Sequence, residues 1–228
     1  MKNILKVRML GGFTLEYKGK ELVLDCNNVS KTTQLFQLLL LHTQDGGISK
    51  AALIDALYGR SDVENKNGSL NNTIFRLRKQ LTAAGLPESS YININGGMCT
   101  WDPDIETSVD VCDFKQTIES ARHEKSQKTK MEIYAKAWKL YTGEFLPDMM
   151  GEDWAAVENI ACRDMYFDCV EELCHYLKTE EKFEELYRVA HSAAEIYPFY
   201  DWQIWEIDSL SECPDTKTAS MSTKEQPG

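Results

Sequence analysis

Within the first hundred residues the hydrophobic period changes from two to 3.6 and back again, and this constrains the fold more than any other feature. Residues 4–9 (Ile-Leu-Lys-Val-Arg-Met) alternate apolar and basic, as a half-buried strand does. Gly11-Gly12 then turns the chain, Phe13 to Tyr17 alternates again, Lys18-Gly19-Lys20 forms a turn, and Leu22-Val23-Leu24 reads as a third short strand. Together these predict a small antiparallel sheet. No helix follows Gly11-Gly12 directly, which favours a turn over a phosphate cradle. From Ser30 the pattern becomes helical, with Leu35, Leu38, Leu39 and His42 on one stripe and Ser30 as the N-cap. Gly46-Gly47 ends that helix, and Ser49 caps a second one carrying Leu53, Ile54 and Leu57. The Ser-x-x-Glu spacing of Ser61-Asp62-Val63-Glu64 predicts the capping box of a third helix, which runs to about Ala84 and stops at Gly85-Leu86-Pro87. Tyr91 to Trp101 reads as a hairpin turning at Gly96-Gly97.

Three strands, three helices and a terminal hairpin is the element order of an OmpR-type winged helix, whose third helix enters the major groove and whose hairpin is the wing. At about 100° per residue, Leu70, Ile74, Leu77 and Leu81 cluster in a narrow arc of the third helix and face the core. The opposite arc holds Asn72, Arg76 and Lys79, with Phe75 beside them and Thr73 nearer the boundary. Arg, Lys and Asn suit guanine, adenine and phosphate contacts. Taken alone, this arc fits a solvated polar face as well as a DNA-facing one. The surrounding winged-helix order favours DNA.

The net charge of −11 argues against nucleic-acid binding only while the chain is taken whole. Residues 1–105 carry 12 Lys+Arg against 10 Asp+Glu, a net of +2, and residues 106–228 carry 13 against 26, a net of −13. Such asymmetry points to two domains with different partners. The predicted organisation is a DNA-binding domain over 1–105, an all-helical domain over 106–213 and a disordered tail over 214–228. The Asp102 to Glu106 segment is the linker. In the second half Phe114, Ile118 and Ala121 make one helical stripe, and Met131, Tyr134, Ala135, Trp138 and Tyr141 another. A long helix from Trp154 to Leu177 carries Val157, Ile160, Ala161, Met165, Cys169, Leu173 and Leu177. Phe183 to Tyr197 follows, stopped by Pro198, and Tyr200 to Leu210 supplies a last helix with Trp202 and Trp205. Paired helices with alanines at the crossings fit either tetratricopeptide-like repeats or a plain helical bundle. Glu171-Glu172, Glu180-Glu181 and Glu184-Glu185 give an exterior that repels DNA.

Several segments resemble the Streptomyces antibiotic regulatory protein family: Met9-Leu10-Gly11-Gly12-Phe13, Asn71 to Lys79, Asn95-Gly96-Gly97 and Val109 to Phe114. Leu140-Tyr141-Thr142-Gly143-Glu144-Phe145-Leu146-Pro147-Asp148 and Asp153-Trp154 are similar to the bacterial transcriptional activator domain that accompanies that winged helix. The resemblance covers roughly residues 4–210. It implies promoter binding, often as dimers on repeated sites, with recruitment of RNA polymerase. The candidate DNA-contacting residues are therefore Asn72, Thr73, Arg76 and Lys79, together with Asn71, Arg78 and Asn95 from the segments that carry the resemblance. Three features depart from the family pattern. The second wing strand has Met98-Cys99-Thr100 where the family carries Gly-Tyr-Arg, so a cation is absent; Phe75 stands where a small or basic residue is usual; and Gly68 lies inside the third helix, at a cost of about 1 kcal/mol relative to Ala.

No Gly-x-Ser-x-Gly, His-Glu-x-x-His, Walker loop or dinucleotide fingerprint is present, so an enzyme is not expected. The seven cysteines include no Cys-x-x-Cys pair and the four histidines are scattered, so neither a metal site nor a cofactor is expected. Cys162, Cys169 and Cys174 are expected to pack as buried thiols. No apolar stretch approaches the ~20 residues needed to cross a bilayer, and the charged N-terminus contains no secretory apolar region. The expected protein is a cytoplasmic, homodimeric, DNA-binding activator that contacts RNA polymerase. The alternative is a winged-helix and repeat scaffold that has lost DNA binding and works through protein contacts.

Overall fold

The computed structural model describes residues 3–24 and 29–212; Cys26, Cys213 and the tail 214–228 lie outside them. The described residues form two compact units: those up to Asp113 together with Glu144–Ala161, and Phe114–Gly143 together with the described residues from Cys162 onward.

In the first unit, β1 (Leu5–Arg8), β2 (Thr14–Tyr17) and β3 (Lys20–Leu22) form the expected antiparallel meander. Register pairs Leu5 with Tyr17 and Tyr17 with Lys20. The β2–β3 turn uses only Lys18 and Gly19, both at positive φ, so β3 starts at Lys20 and ends at Leu22 rather than running over Leu22-Val23-Leu24. A two-residue turn with positive φ at both positions matches the twist of the flanking strands. The sheet also gains a fourth strand. β7 (Thr107–Val109) joins β1 in parallel, with Leu5 opposite Thr107. At its end Asp110 opens α4 (Asp110–His123), and its carboxylate accepts from the N–H groups of Met9 (2.8 Å), Leu10 (3.1 Å) and Val111 (2.7 Å).

Helix α1 (Lys31–Leu41) is buried from Thr32 to Leu41 and is the central element of this unit. Its N-cap is Ser30, whose hydroxyl accepts from Thr33 N–H at 3.2 Å. α2 (Lys50–Tyr58) is capped in the same way by Ser49, which accepts from Ala52 N–H at 3.1 Å. The third helix starts later than its Ser-x-x-Glu motif predicts. α3 spans Lys66–Ala83, and its N-cap is Asn65, which accepts from Gly68 N–H at 2.8 Å. Ser61 instead donates its hydroxyl back to Tyr58 O at the end of α2. Gly68 is part of the same arrangement, since a Cβ there would lie 2.7 Å from the Asn65 amide nitrogen. In the first turn its helix-interior penalty is offset by the cap it admits.

Residues 144–161 belong to this unit. The chain after Gly143 runs beside the end of β1, where Gly11 N–H donates to Glu144 O and Leu146 N–H to Met9 O, both at 2.8 Å. Phe145 is fully buried, and its N–H donates to the side-chain oxygen of Asn159 at 2.9 Å. The Gly-Glu-Phe-Leu-Pro run is thus a structural seam. The first turns of α6 (Asp153–Thr179) accordingly bury Ala155 and Asn159 and leave Val157 and Ile160 exposed, against the stripe expected from the sequence. An apolar count cannot anticipate that a polar Asn holds the inward position.

The second unit contains the rest of α4 (Asp110–His123), α5 (Gln127–Leu140), the later turns of α6, α7 (Phe183–Ile196) and α8 (Trp202–Glu212). α7 stops at Tyr197, whose backbone leaves the helical region (φ −128°, ψ 72°), as a residue before Pro198 is disposed to do. Phe114, Ile118, Ala121, Met131, Tyr134, Leu173, Leu186 and Ala190 are buried. Tyr141 stacks on Tyr166 at 4.1 Å between ring centroids, and its hydroxyl lies 2.7 Å from that of Tyr197. Burial pushes both Tyr141 and Tyr166 well above the ordinary phenol range. Cys99, Cys112, Cys162, Cys169 and Cys174 are buried, and burial lifts the Cys174 thiol to about 12.

Candidate nucleic-acid interface

Helix α3 presents two chemically distinct faces. Leu70, Ile74, Leu77 and Leu81 are buried, as their spacing predicts. Asn71, Asn72, Phe75, Arg76 and Lys79 are exposed. No acidic residue occurs in Lys66–Ala83, and no carboxylate among the described residues lies within ion-pair distance of Arg76 or Lys79. Elsewhere in the unit Lys6 pairs with Glu16 at 2.8 Å, Lys31 with Glu152 at 3.1 Å, and Arg60 with Asp153. The unpaired cations of α3 therefore project a positive potential that nothing on the helix cancels.

Two of the candidate residues do other work. Thr73 is only 6% exposed, and its hydroxyl lies 2.6 Å from that of Tyr58 on α2. The pair satisfies two buried hydroxyls and docks α3 on α2, so Thr73 cannot reach a ligand on the outer face. Arg78 is half-buried and turned toward the hairpin. Its Nε donates to Ser90 O at 2.9 Å and its Nη2 to Ile92 O at 2.8 Å. The guanidinium fork thereby fixes the base of the wing against the helix, with the two bonds held at a fixed angle that a flexible ammonium does not impose.

The wing itself is β5 (Ile92–Asn95) and β6 (Met98–Trp101), turning at Gly96 and Gly97 with φ of +56° and +83°. Those values place the turn in the type I′ class and put Asn95 at its exposed corner. The wing base is anchored by Tyr91, which is buried, stacks on Trp101 at 6.1 Å, and has its hydroxyl 3.1 Å from that of Thr82 on α3. β6 also pairs with a two-residue strand β4 (Ile48–Ser49), Ile48 standing opposite Cys99. Gly47 makes that approach possible: at φ +100°, a Cβ would sit 2.5 Å from Thr100 Cγ2 and 2.6 Å from Cys99 O.

Sequence reasoning missed a basic residue here. The N–H of Lys50 donates to Gly97 O at 2.8 Å, so the start of α2 lies beside the wing turn. Burial raises the Cys99 thiol, and the Lys50 charge partly offsets that rise. A cation thus stands next to the wing although β6 carries none. The only local signal was the Ile48-Ser49 pair, too short for any alternation to register.

Among the described residues no group of three or more His, Cys, Asp or Glu is arranged to hold a metal ion. A hollow of about 390 Å³ in the helical unit is lined by Trp138, Leu173 and Leu177 with Lys139, Glu132 and Glu185 at its sides. No helix among the described residues is long and apolar enough to cross a membrane.

The elements define a class, an α+β winged helix followed by a helical domain. Among solved structures the chain is similar to Mycobacterium tuberculosis EmbR, determined in complex with a low-affinity phosphopeptide, with a TM-score of 0.56 and 16% identity. The match covers 98% of this chain and 62% of the EmbR chain, so the sequence spans less than two thirds of that protein. At this identity the likeness speaks for the fold. No protein-family model and no curated protein matches the sequence.

Proposed function

We propose that the chain is a cytoplasmic transcription regulator of the Streptomyces antibiotic regulatory protein kind, binding promoter DNA through α3 and the wing. The observation that carries this reading is the outer face of α3. Asn72, Arg76 and Lys79 are exposed on a helix without a single acidic residue, and neither cation has an acidic partner among the described residues. Asn71 flanks this face and Asn95 tips the wing held beside it through Arg78. The side chains match the demands of the groove: a guanidinium for guanine or phosphate, an amide for adenine, an ammonium for phosphate. The acidic helical domain is the protein-contact part, directed at RNA polymerase, and the working form is a homodimer on repeated half-sites. Glu144 to Leu146, part of the segment that carries the family resemblance, pairs with Met9 and Gly11 just beyond β1, which agrees with this reading.

The test is selection from a random duplex pool at low and at physiological salt, with an Arg76→Ala/Lys79→Ala control. The expected result is enrichment of a repeated motif by the natural chain and none by the control. Half-site spacing then reports dimer geometry. Failure to enrich any sequence at low salt sinks the proposal. It would favour the second reading, a protein-contact scaffold, which the exposed Met98, buried Cys99 and absent β6 cation support.

A further inference from the structure

Phe75 is the feature of α3 that phosphate attraction does not explain. Phe75 is 68% exposed, in the middle of the outer face, one residue before Arg76 and four before Lys79. The neighbouring inward residues Ile74 and Leu77 are already buried, so Phe75 adds nothing to the core of its unit. None of the aromatic contacts among the described residues involves it. Covering an exposed phenyl ring with an apolar group is favourable, so Phe75 offers a ligand on this face a contact that the cations do not. A polyanion that also offers an apolar group matches both the cations and the ring of this face.

We propose that Phe75 is a specificity-determining residue that packs against thymine 5-methyl groups in the major groove. This rests on the reading of α3 as the DNA-facing helix. The major groove supplies both properties at once: phosphates along its walls for Arg76 and Lys79, and the thymine methyl as the apolar feature of its floor. The position follows from helix geometry. Phe75 lies about 60° from Asn72 and about 100° from Arg76 around the axis, so the three sample neighbouring base steps from one face. A protein otherwise reading adenine and guanine through Asn72 and Arg76 gains from Phe75 a preference for thymine over cytosine at one or two positions. Asn71 and Lys79, exposed on either side, position the helix without distinguishing those bases.

The experiment replaces each thymine of the selected duplex with deoxyuridine, which removes the methyl and leaves every hydrogen-bonding group. Fluorescence anisotropy then gives affinities for the natural chain and for Phe75→Ala. Because Phe75 is exposed, the variant is expected to melt with the natural chain by circular dichroism, and this is measured alongside. At one or two thymines, uridine should weaken the natural chain about fourfold per methyl, the factor expected for one buried CH₂-sized group. Phe75→Ala should bind thymine and uridine duplexes alike. If the natural chain binds a selected sequence but ignores the missing methyls, the thymine assignment is overturned while the DNA-binding reading stands. If sensitivity to uridine persists in Phe75→Ala, another residue reads the methyl and the assignment is likewise overturned. If no duplex binds at low salt, both the assignment and the reading beneath it fail.

Discussion

Arg78 separates a structural tether from a DNA contact, and the separation can be measured. The perturbation is Arg78→Ala, with Arg78→Lys beside it. The side chain donates two charged hydrogen bonds, to Ser90 O at 2.9 Å and Ile92 O at 2.8 Å. A hydrogen bond from a charged group contributes about 1.5–3 kcal/mol when shielded. The Ser90 carbonyl is open to water, which discounts that bond heavily, so the pair together stabilises by about 2 kcal/mol. Arg78→Ala should lose that amount, seen as a drop of about 1 M in the urea midpoint by circular dichroism. Amide exchange at Asn93 to Asn95 should accelerate, because the wing base is released. Arg78→Lys keeps the charge but should recover only part of the loss, since a flexible ammonium lacks the fixed fork that meets both carbonyls at once. In DNA binding, the slope of log K against log salt should be unchanged by Arg78→Ala, while Arg76→Ala/Lys79→Ala lowers it by about 2. Natural stability in Arg78→Ala, or a slope reduced by about 1, would refute the tether and return Arg78 to the phosphate contacts.

Two further outcomes follow from local geometry. Gly47→Ala should destabilise by about 2 kcal/mol or more in urea melts, because it combines strained φ with a Cβ 2.6 Å from Cys99 O; Gly46→Ala, with open space around its Cβ, should cost about half as much. Equal losses at the two positions would show that approach to β6 is not the cause. Burial lifts Asp110 to about 6 against the three N–H donors and Arg8, which pull it down. The folded chain therefore holds this proton through a range where the unfolded chain has released it. Its contribution is full below about pH 4 and is lost as pH rises through 6, about 3 kcal/mol for the cited shift. The stability difference between the natural chain and Asp110→Asn should shrink accordingly from pH 4 to 7, and parallel pH profiles would contradict the assignment.

The outer arc of α3 was legible because it depends on one local period. Leu70, Ile74, Leu77 and Leu81 point inward wherever the helix docks, so Asn72, Phe75, Arg76 and Lys79 must point outward. Thr73 and Arg78 stand at the margins of that arc, and a helical wheel treats them as equivalent to their neighbours. Contacts with Tyr58, and with Ser90 and Ile92, made one a buried pair and the other a strut. Lys50 was invisible for a related reason, since its place beside Gly97 arises from β4–β6 pairing between segments about fifty residues apart.

From sequence alone came the elements whose causes lie within a few residues: the alternation of β1 and β2, the Ser30 and Ser49 caps, the Gly96-Gly97 turn and the apolar stripe of α3. Tertiary structure alone decided between local signals of similar strength, and between residues on the margin of a face. Asn65 starts α3 in place of Ser61, whose hydroxyl is held by Tyr58 O. β7 finds its partner β1 a hundred residues away, and Glu144–Ala161 joins the first unit because its backbone groups meet those of Met9 and Gly11. The physical reason is common to all of them. A cap, a strand of three residues or a boundary side chain gains only about 1 kcal/mol from its own neighbourhood, and packing against distant residues outweighs that.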